Sequence, residues 1–235
     1  MNELLLSSKR STRRQWLAHC SVLGLAASLG LPFPTCAQAA TTAAAAPSAR
    51  KLVLVVGDSL SAEYGLARGT GWVALLDQRL AREKIAAKVI NASISGDTTS
   101  GGRSRLAPLL ALHKPSHVIL ELGGNDALRG LPLKQTQANL LAMTQAAKAA
   151  GARVLVAGMQ VPPNYGRQYG ADFAALFANV ARSEGAALVP FLLKGVADGA
   201  GADAMFQADR IHPTAAAHPL MLGNVWPVLR PLLPK

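Results

Sequence analysis

Short apolar runs alternate along the chain with longer segments in which apolar residues recur every three or four positions. The first run, Leu52–Val56, is continuous, as expected of a strand covered on both faces. From Trp72 to Lys84, the residues Trp72, Leu75, Leu76 and Leu80 fall at helical spacing. Further strands are predicted at Lys88–Ile94, His117–Leu122, Arg153–Ala157 and Leu188–Phe191. Helices are predicted between them at Leu106–His113, Gln135–Ala150 and Phe173–Glu184, the last two closed by Gly151 and Gly185. A final helix is predicted over Thr214–Leu233, opened by Pro213. Strands alternating with helices in this way predict a three-layer α/β fold around a parallel sheet. In such sheets ligands bind beyond the carboxyl ends of the strands, near the point where strand order reverses.

The N-terminal region breaks this pattern and reads as an export leader over residues 1–39. Lys9, Arg10, Arg13 and Arg14 form a positive start, Trp16–Leu31 is mostly apolar, and Ala37-Gln38-Ala39 is a small-x-small cleavage site. The segment from Ser11 to Leu17 also resembles a twin-arginine signal, so the general secretory and twin-arginine routes both remain open. The apolar stretch is short for a membrane span and is followed by Pro32 and Pro34, which argues against a stable membrane anchor. Residues 40–50 are small and low in complexity, a flexible linker to a domain over 51–235. The expected location is therefore the periplasm or the outside of the cell.

Composition narrows the chemistry. Both cysteines, Cys20 and Cys36, fall in the leader, so the remaining chain has no thiolate, disulfide or cysteine-bound zinc to use. The chain carries a net charge of +11, of which the leader contributes four basic residues and one acidic residue. The basic residues are scattered and not interleaved with aromatics, so nucleic-acid binding is not expected.

The polar residues that follow the predicted strands are more informative. The first strand runs into Gly57-Asp58-Ser59, the second into Ser95-Gly96-Asp97-Thr98, and the third into Gly123-Gly124-Asn125-Asp126. The loop before the last helix holds Asp209-Arg210-Ile211-His212. Turns need small residues, but they do not need a serine, an asparagine and a histidine gathered at one rim. Ser59 does not sit in a G-x-S-x-G elbow, because Ser61 occupies the last glycine position, and no phosphate-binding glycine motif follows the first strand. A serine hydroxyl needs a base, and His212 can serve, with Asp209 three residues earlier to orient it. Asn125 can donate to an oxyanion, with the amides of Ser59 and Gly96 completing the cup. Asp58 and Asp126 read as carboxylates that pin their loops. His113 and His117 flank a strand, and His218 falls within the last predicted helix.

Together these blocks resemble the GDSL, or SGNH, hydrolase family, which contributes Ser, Gly, Asn and His from four ordered segments. Ser59 in GDSL, Gly96 in SGD, Asn125 in GGND and His212 in DRIH match them in order. NASISGDTTSGG, ELGGNDALRG and VPPNYGRQY are similar to the branch of bacterial periplasmic arylesterases, multifunctional acyl-CoA thioesterases and lysophospholipases. The resemblance implies a flavodoxin-like α/β/α sandwich with a five-stranded parallel sheet, and a catalytic set of Ser59, Asp209 and His212. It implies an oxyanion hole from Ser59, Gly96 and Asn125, and acyl-chain contacts from Leu128, Val161, Pro162, Asn164 and Tyr165. No cofactor and no metal are expected, and the partner is a small acyl ester or thioester met by a monomer. Glu63 departs from the pattern, standing where many relatives have glycine, and it either alters the charge preference for substrate or faces solvent. Two other readings stay open: a carbohydrate O-acetyl esterase, and a flavodoxin-like binding module without chemistry.

Overall fold

The structure, a computed structural model, describes residues 51–234. The leader expected over 1–39 and the linker over 40–50 lie outside the described residues.

The sheet has five strands, all parallel: β1 (Lys51–Gly57), β2 (Ala87–Asn91), β3 (His117–Glu121), β4 (Arg153–Ala157) and β5 (Ala187–Val189). Their order across the sheet is β2-β1-β3-β4-β5, so the chain reverses its direction of travel between β1 and β3. Among the described residues there are six α-helices: α1 (Trp72–Arg82), α2 (Thr99–His113), α3 (Gly124–Leu128), α4 (Leu133–Ala149), α5 (Arg167–Glu184) and α6 (His218–Leu229). α1 packs on α6, whereas α4 packs between α2 and α5, which gives the three layers expected from the alternation.

The central strands are apolar because both of their faces are covered. Val53 to Val56 of β1 and Val118 to Leu120 of β3 are fully buried, with Trp72, Leu76, Phe173 and Phe177 packed from the helices. β1 and β3 pair in register from Val53 opposite His117 to Gly57 opposite Glu121. Residues immediately after Gly57 and Glu121 therefore emerge side by side at the switch point.

Several boundaries differ from the sequence reading. β2 stops at Asn91 and not at Ile94, because the Asn91 side chain closes a local turn: its Oδ1 accepts the Ser93 amide (3.1 Å) while its Nδ2 donates to the Ser61 carbonyl (2.7 Å). α2 begins at Thr99, seven residues before the predicted Leu106, with the Thr98 hydroxyl accepting the Gly101 amide as a cap. Its first turns have no apolar stripe because Gly102 lies directly against Leu122, where an added Cβ would meet Leu122 Cδ1 at 2.2 Å. α5 likewise starts at Arg167 and not at Phe173. Pro213 does not open the last helix. It pairs with Phe206 in an antiparallel bridge, and α6 starts at His218.

Candidate active site

Asp58 ends the straight run of β1 by folding the chain back on itself. Its carbonyl accepts the amides of Ser61 (3.2 Å) and Ala62 (2.9 Å), and its Oδ1 accepts the Leu60 amide (3.0 Å). Ser59 is held on the outside of this tight turn, half-buried, beyond the carboxyl end of the sheet. Gly57 has to be glycine here, since a Cβ would lie 2.7 Å from Glu121 Oε2 and 2.8 Å from Ser61 Oγ.

The histidine arrives from the far end of the chain on a loop braced by backbone bonds. The Gln207 amide donates to the His212 carbonyl (2.7 Å), next to the Phe206–Pro213 bridge. Asp209 shapes the tip: its Oδ1 accepts the amides of Ile211 (2.9 Å) and His212 (3.0 Å), and its Oδ2 lies 2.7 Å from His212 Nδ1. Those amide bonds, the His212 backbone bond first, hold the Asp209 carboxyl well down, at about 2. An ionised Asp209 accepts the Nδ1–H hydrogen bond, which keeps the proton on Nδ1 and leaves Nε2 as an acceptor. His212 Nε2 lies 2.9 Å from Ser59 Oγ. The Tyr64 ring rests against the imidazole with centroids 4.2 Å apart, and Gln207 Nε2 ties the Tyr64 and Pro213 carbonyls together.

Gly96 lies in the loop after β2, and Asn125 lies in the first turn of α3, after β3. Gly96 has φ +79°, a conformation glycine adopts without a Cβ penalty. Among the described residues the amides of Ser59 and Gly96 are given to no acceptor. The Asn125 carboxamide is different, because its Nδ2 donates to Asp97 O (2.9 Å) and Asp58 Oδ2 (3.1 Å). An incoming oxyanion has to share one of those hydrogens.

Three residues that shape the site were not singled out from the sequence. Arg105 reaches from α2 to Asp97 Oδ2 (2.7 Å), to the Gly57 carbonyl (3.2 Å) and to the Ala92 carbonyl, which fixes the Gly96 loop against the end of β1. Glu121 is completely buried at the end of β3. Its Oε2 accepts the Ser61 hydroxyl (2.6 Å) and the Asp58 amide (3.3 Å). Tyr64 is the third. A lone carboxylate closing the apolar run His117–Glu121 was the visible signal for Glu121, whereas nothing in periodicity marks Arg105 or Tyr64.

Asp126 does pin its loop, accepting the Thr99 amide (2.8 Å) and the Thr136 hydroxyl (3.2 Å). Glu63 is half-buried, and its Oε1 accepts the amides of Gly69 (2.9 Å) and Gly71 (2.8 Å). His218 is buried, and its Nδ1 accepts the Trp72 amide (2.9 Å) at the start of α1; burial depresses its basicity. Leu128 is exposed at the end of α3. Val161, Pro162, Asn164 and Tyr165 lie on and just before a single 3₁₀ turn, Pro163–Tyr165, from which Tyr165 stacks on Tyr169. Among the described residues no group of three or more His, Cys, Asp or Glu side chains is arranged to hold a metal ion.

Fold, strand-end loops and the Ser59–His212 pair define a class, and comparison with known families agrees: the chain belongs to the GDSL-like lipase/acylhydrolase family, whose model matches residues 55–220. Among individual proteins, it is 54% identical over 186 residues to Esterase TesA of Pseudomonas aeruginosa, covering 79% of this chain and 91% of that one. It is 38% identical over 186 residues to Thioesterase 1/protease 1/lysophospholipase L1 of Escherichia coli, covering 79% and 86%. A crystal structure of the psychrotrophic esterase EstA from Pseudoalteromonas sp., described as inhibited by monoethylphosphonate, superposes with a TM-score of 0.72 at 38% identity, covering 77% of this chain and 97% of that one.

Proposed function

We propose that the protein is a serine hydrolase that cleaves small carboxylic esters and acyl thioesters, over the arylesterase, thioesterase and lysophospholipase range. The observation that carries this reading is the unbroken chain from Ser59 Oγ through His212 to Asp209, at 2.9 Å and 2.7 Å. A binding module has no use for a hydroxyl aimed at a base that is itself oriented by a carboxylate.

In the first half-reaction Ser59 Oγ attacks the acyl carbon while His212 Nε2 takes the hydroxyl proton. The oxyanion lies within reach of the Ser59 and Gly96 amides and Asn125 Nδ2. Collapse breaks the bond to the leaving alcohol or thiol, which receives the proton from Nε2. Water then attacks the acyl-serine with His212 again as base, which releases the acid and restores Ser59. Asp209 stays ionised throughout, holding the imidazole in the required tautomer. Leu128, Val161, Pro162, Asn164 and Tyr165 form the acyl-chain wall. The names of the relatives, esterase and thioesterase, support this substrate class. The domain works after export, once the leader over 1–39 is removed. No helix among the described residues is long and apolar enough to cross a membrane.

A fluorophosphonate probe tests the assignment. One adduct on Ser59, with parallel loss of p-nitrophenyl ester hydrolysis, is expected. Stoichiometric labelling elsewhere, or full activity in Ser59→Ala, overturns it.

A further inference from the structure

Asn125 can serve an oxyanion only if its carboxamide presents nitrogen, not oxygen, to the cleft. Two acceptors impose that orientation: the Asp97 carbonyl and Asp58 Oδ2. The Asp97 carbonyl is backbone and fixed in place by Arg105, whereas Asp58 is a side chain only 2% exposed, next to the nucleophile in sequence. Among the described residues no cation pairs with it. A buried carboxylate without a cation is costly, and a loop that merely needed pinning could use asparagine or serine.

The groups around Asp58 explain how it is kept. From β3, Glu121 approaches with Oε2 on the Asp58 amide and on Ser61 Oγ, while Oε1 has no partner. From α1, Trp72 Nε1 donates to Ser61 Oγ (3.2 Å), which closes the chamber. From the loop after β2 comes the Asp97 charge, itself paired with Arg105 of α2, and from the loop before α6 comes His212. The two buried carboxyls feel each other's charge and do not readily ionise together. Burial raises both, Glu121 well above the ordinary carboxylate range and Asp58 to about 6. Glu121 also feels the Asp58 charge, so the proton stays on Glu121 and the single negative charge rests on Asp58.

Resting on the reading of Ser59 and His212 as the reacting pair, we propose that Asp58 is a positioning residue for the reaction: its carboxylate holds the Asn125 carboxamide nitrogen-first toward the oxyanion and faces the imidazolium that forms on His212, while Glu121 serves as its neutral neighbour. Protonated Asp58 no longer offers Asn125 a full acceptor and no longer supports the imidazolium. The sign follows: activity gains from Asp58 ionisation as pH rises, in addition to the gain from deprotonating the base.

The wild-type protein gives a test without substitution. The acid limb of log kcat/KM against pH is expected to steepen beyond one ionisation, toward a slope of two. In Asp58→Asn, kcat at pH 8 falls about ten- to a hundredfold with KM within about threefold, less than the full loss of a donor, and the acid limb returns to a slope of one. Asp58→Asn/Asn125→Ala falls by clearly less than the product of the two singles, because much of the Asp58 effect acts through the carboxamide. Thermal unfolding of each variant separates these effects from misfolding. A wild-type limb of slope one with unchanged kcat in Asp58→Asn overturns the inference. So does a double variant that falls by the product of the singles. The underlying reading fails separately, if Ser59→Ala stays active or the fluorophosphonate labels elsewhere.

Discussion

Glu63 offers a prediction whose magnitude can be worked from the structure. Its backbone lies at φ +60°, in the left-handed region where a side chain costs roughly 1–2 kcal/mol. That cost is offset by its carboxylate, which takes the amides of Gly69 and Gly71 and so closes the loop that carries Tyr64 over His212. Gly71 is also the residue from which α1 starts. A hydrogen bond to a charged group contributes about 1.5–3 kcal/mol when buried, and this site is only half-buried, so about 3 kcal/mol for the two together is reasonable. Glu63→Ala loses both bonds and keeps the strain, for a net loss of about 3 kcal/mol. Glu63→Gly loses both bonds but releases the strain, for a net loss of about 2 kcal/mol. Glu63→Gln keeps a neutral acceptor and loses about 1 kcal/mol. With about 2–4 °C of Tm per kcal/mol for a chain of this size, the order wild type, Gln, Gly, Ala is resolvable by thermal unfolding. The same variants should lower kcat in the same order, because the loop they loosen holds Tyr64 against the base. A Gly variant as stable as wild type, or an Ala variant more stable than Gly, would refute the reasoning.

Other expectations concern the site and the leader. Asn125→Ala should lower kcat by roughly 10²–10³ with little change in KM, since the donor acts mainly in the transition state; a loss confined to KM reassigns it to turn formation. Ser59→Ala and His212→Ala should each remove nearly all turnover, and the double variant should be scarcely worse than either, because the two act as one unit. Asp209→Ala should be milder, and activity surviving in His212→Ala but not in His218→Ala reverses the choice of base. Protein from the native host should begin just after Ala39 by mass spectrometry, and an intact Met1 contradicts export cleavage.

The parts of the fold that were legible in the sequence are those whose burial is all-round or one-sided. β1, β3 and β4 are buried on both faces and stand out as uninterrupted apolar runs, and α1 shows its stripe through Trp72, Leu76 and Leu80. The first half of α2 was not legible, because close approach to the sheet selects glycine at position 102 and erases the periodicity. α3 is one turn long and holds Asn125 and Asp126, residues that elsewhere read as a turn. At the site, residues whose chemistry is intrinsic were visible: a serine after a strand, and a histidine three residues past an aspartate. Residues whose role comes from distant partners were not. Arg105 acts through carbonyls 13 and 48 positions away, and Glu121 through Ser61 at a separation of 60.

The costly backbone and electrostatic features are unevenly distributed, and their distribution is itself evidence about the site. Among the described residues four other than glycine have left-handed backbones: Glu63, Lys84, Lys114 and Arg210. Lys84 and Lys114 follow helices α1 and α2, where the chain ordinarily takes that conformation to close the last turn. Glu63 and Arg210 end no helix. One flanks Tyr64 and the other sits between Asp209 and His212, so both lie in the two loops that bring the imidazole to Ser59. The buried carboxyls Asp58 and Glu121, whose burial opposes folding, sit behind the same serine. Burial of the two carboxyls opposes stability, and nothing in the packing of the core requires any of these features. A fold that bears its strain around one hydroxyl and one imidazole gains from keeping those two groups in place, which is what nucleophilic catalysis demands and a passive binding rim does not.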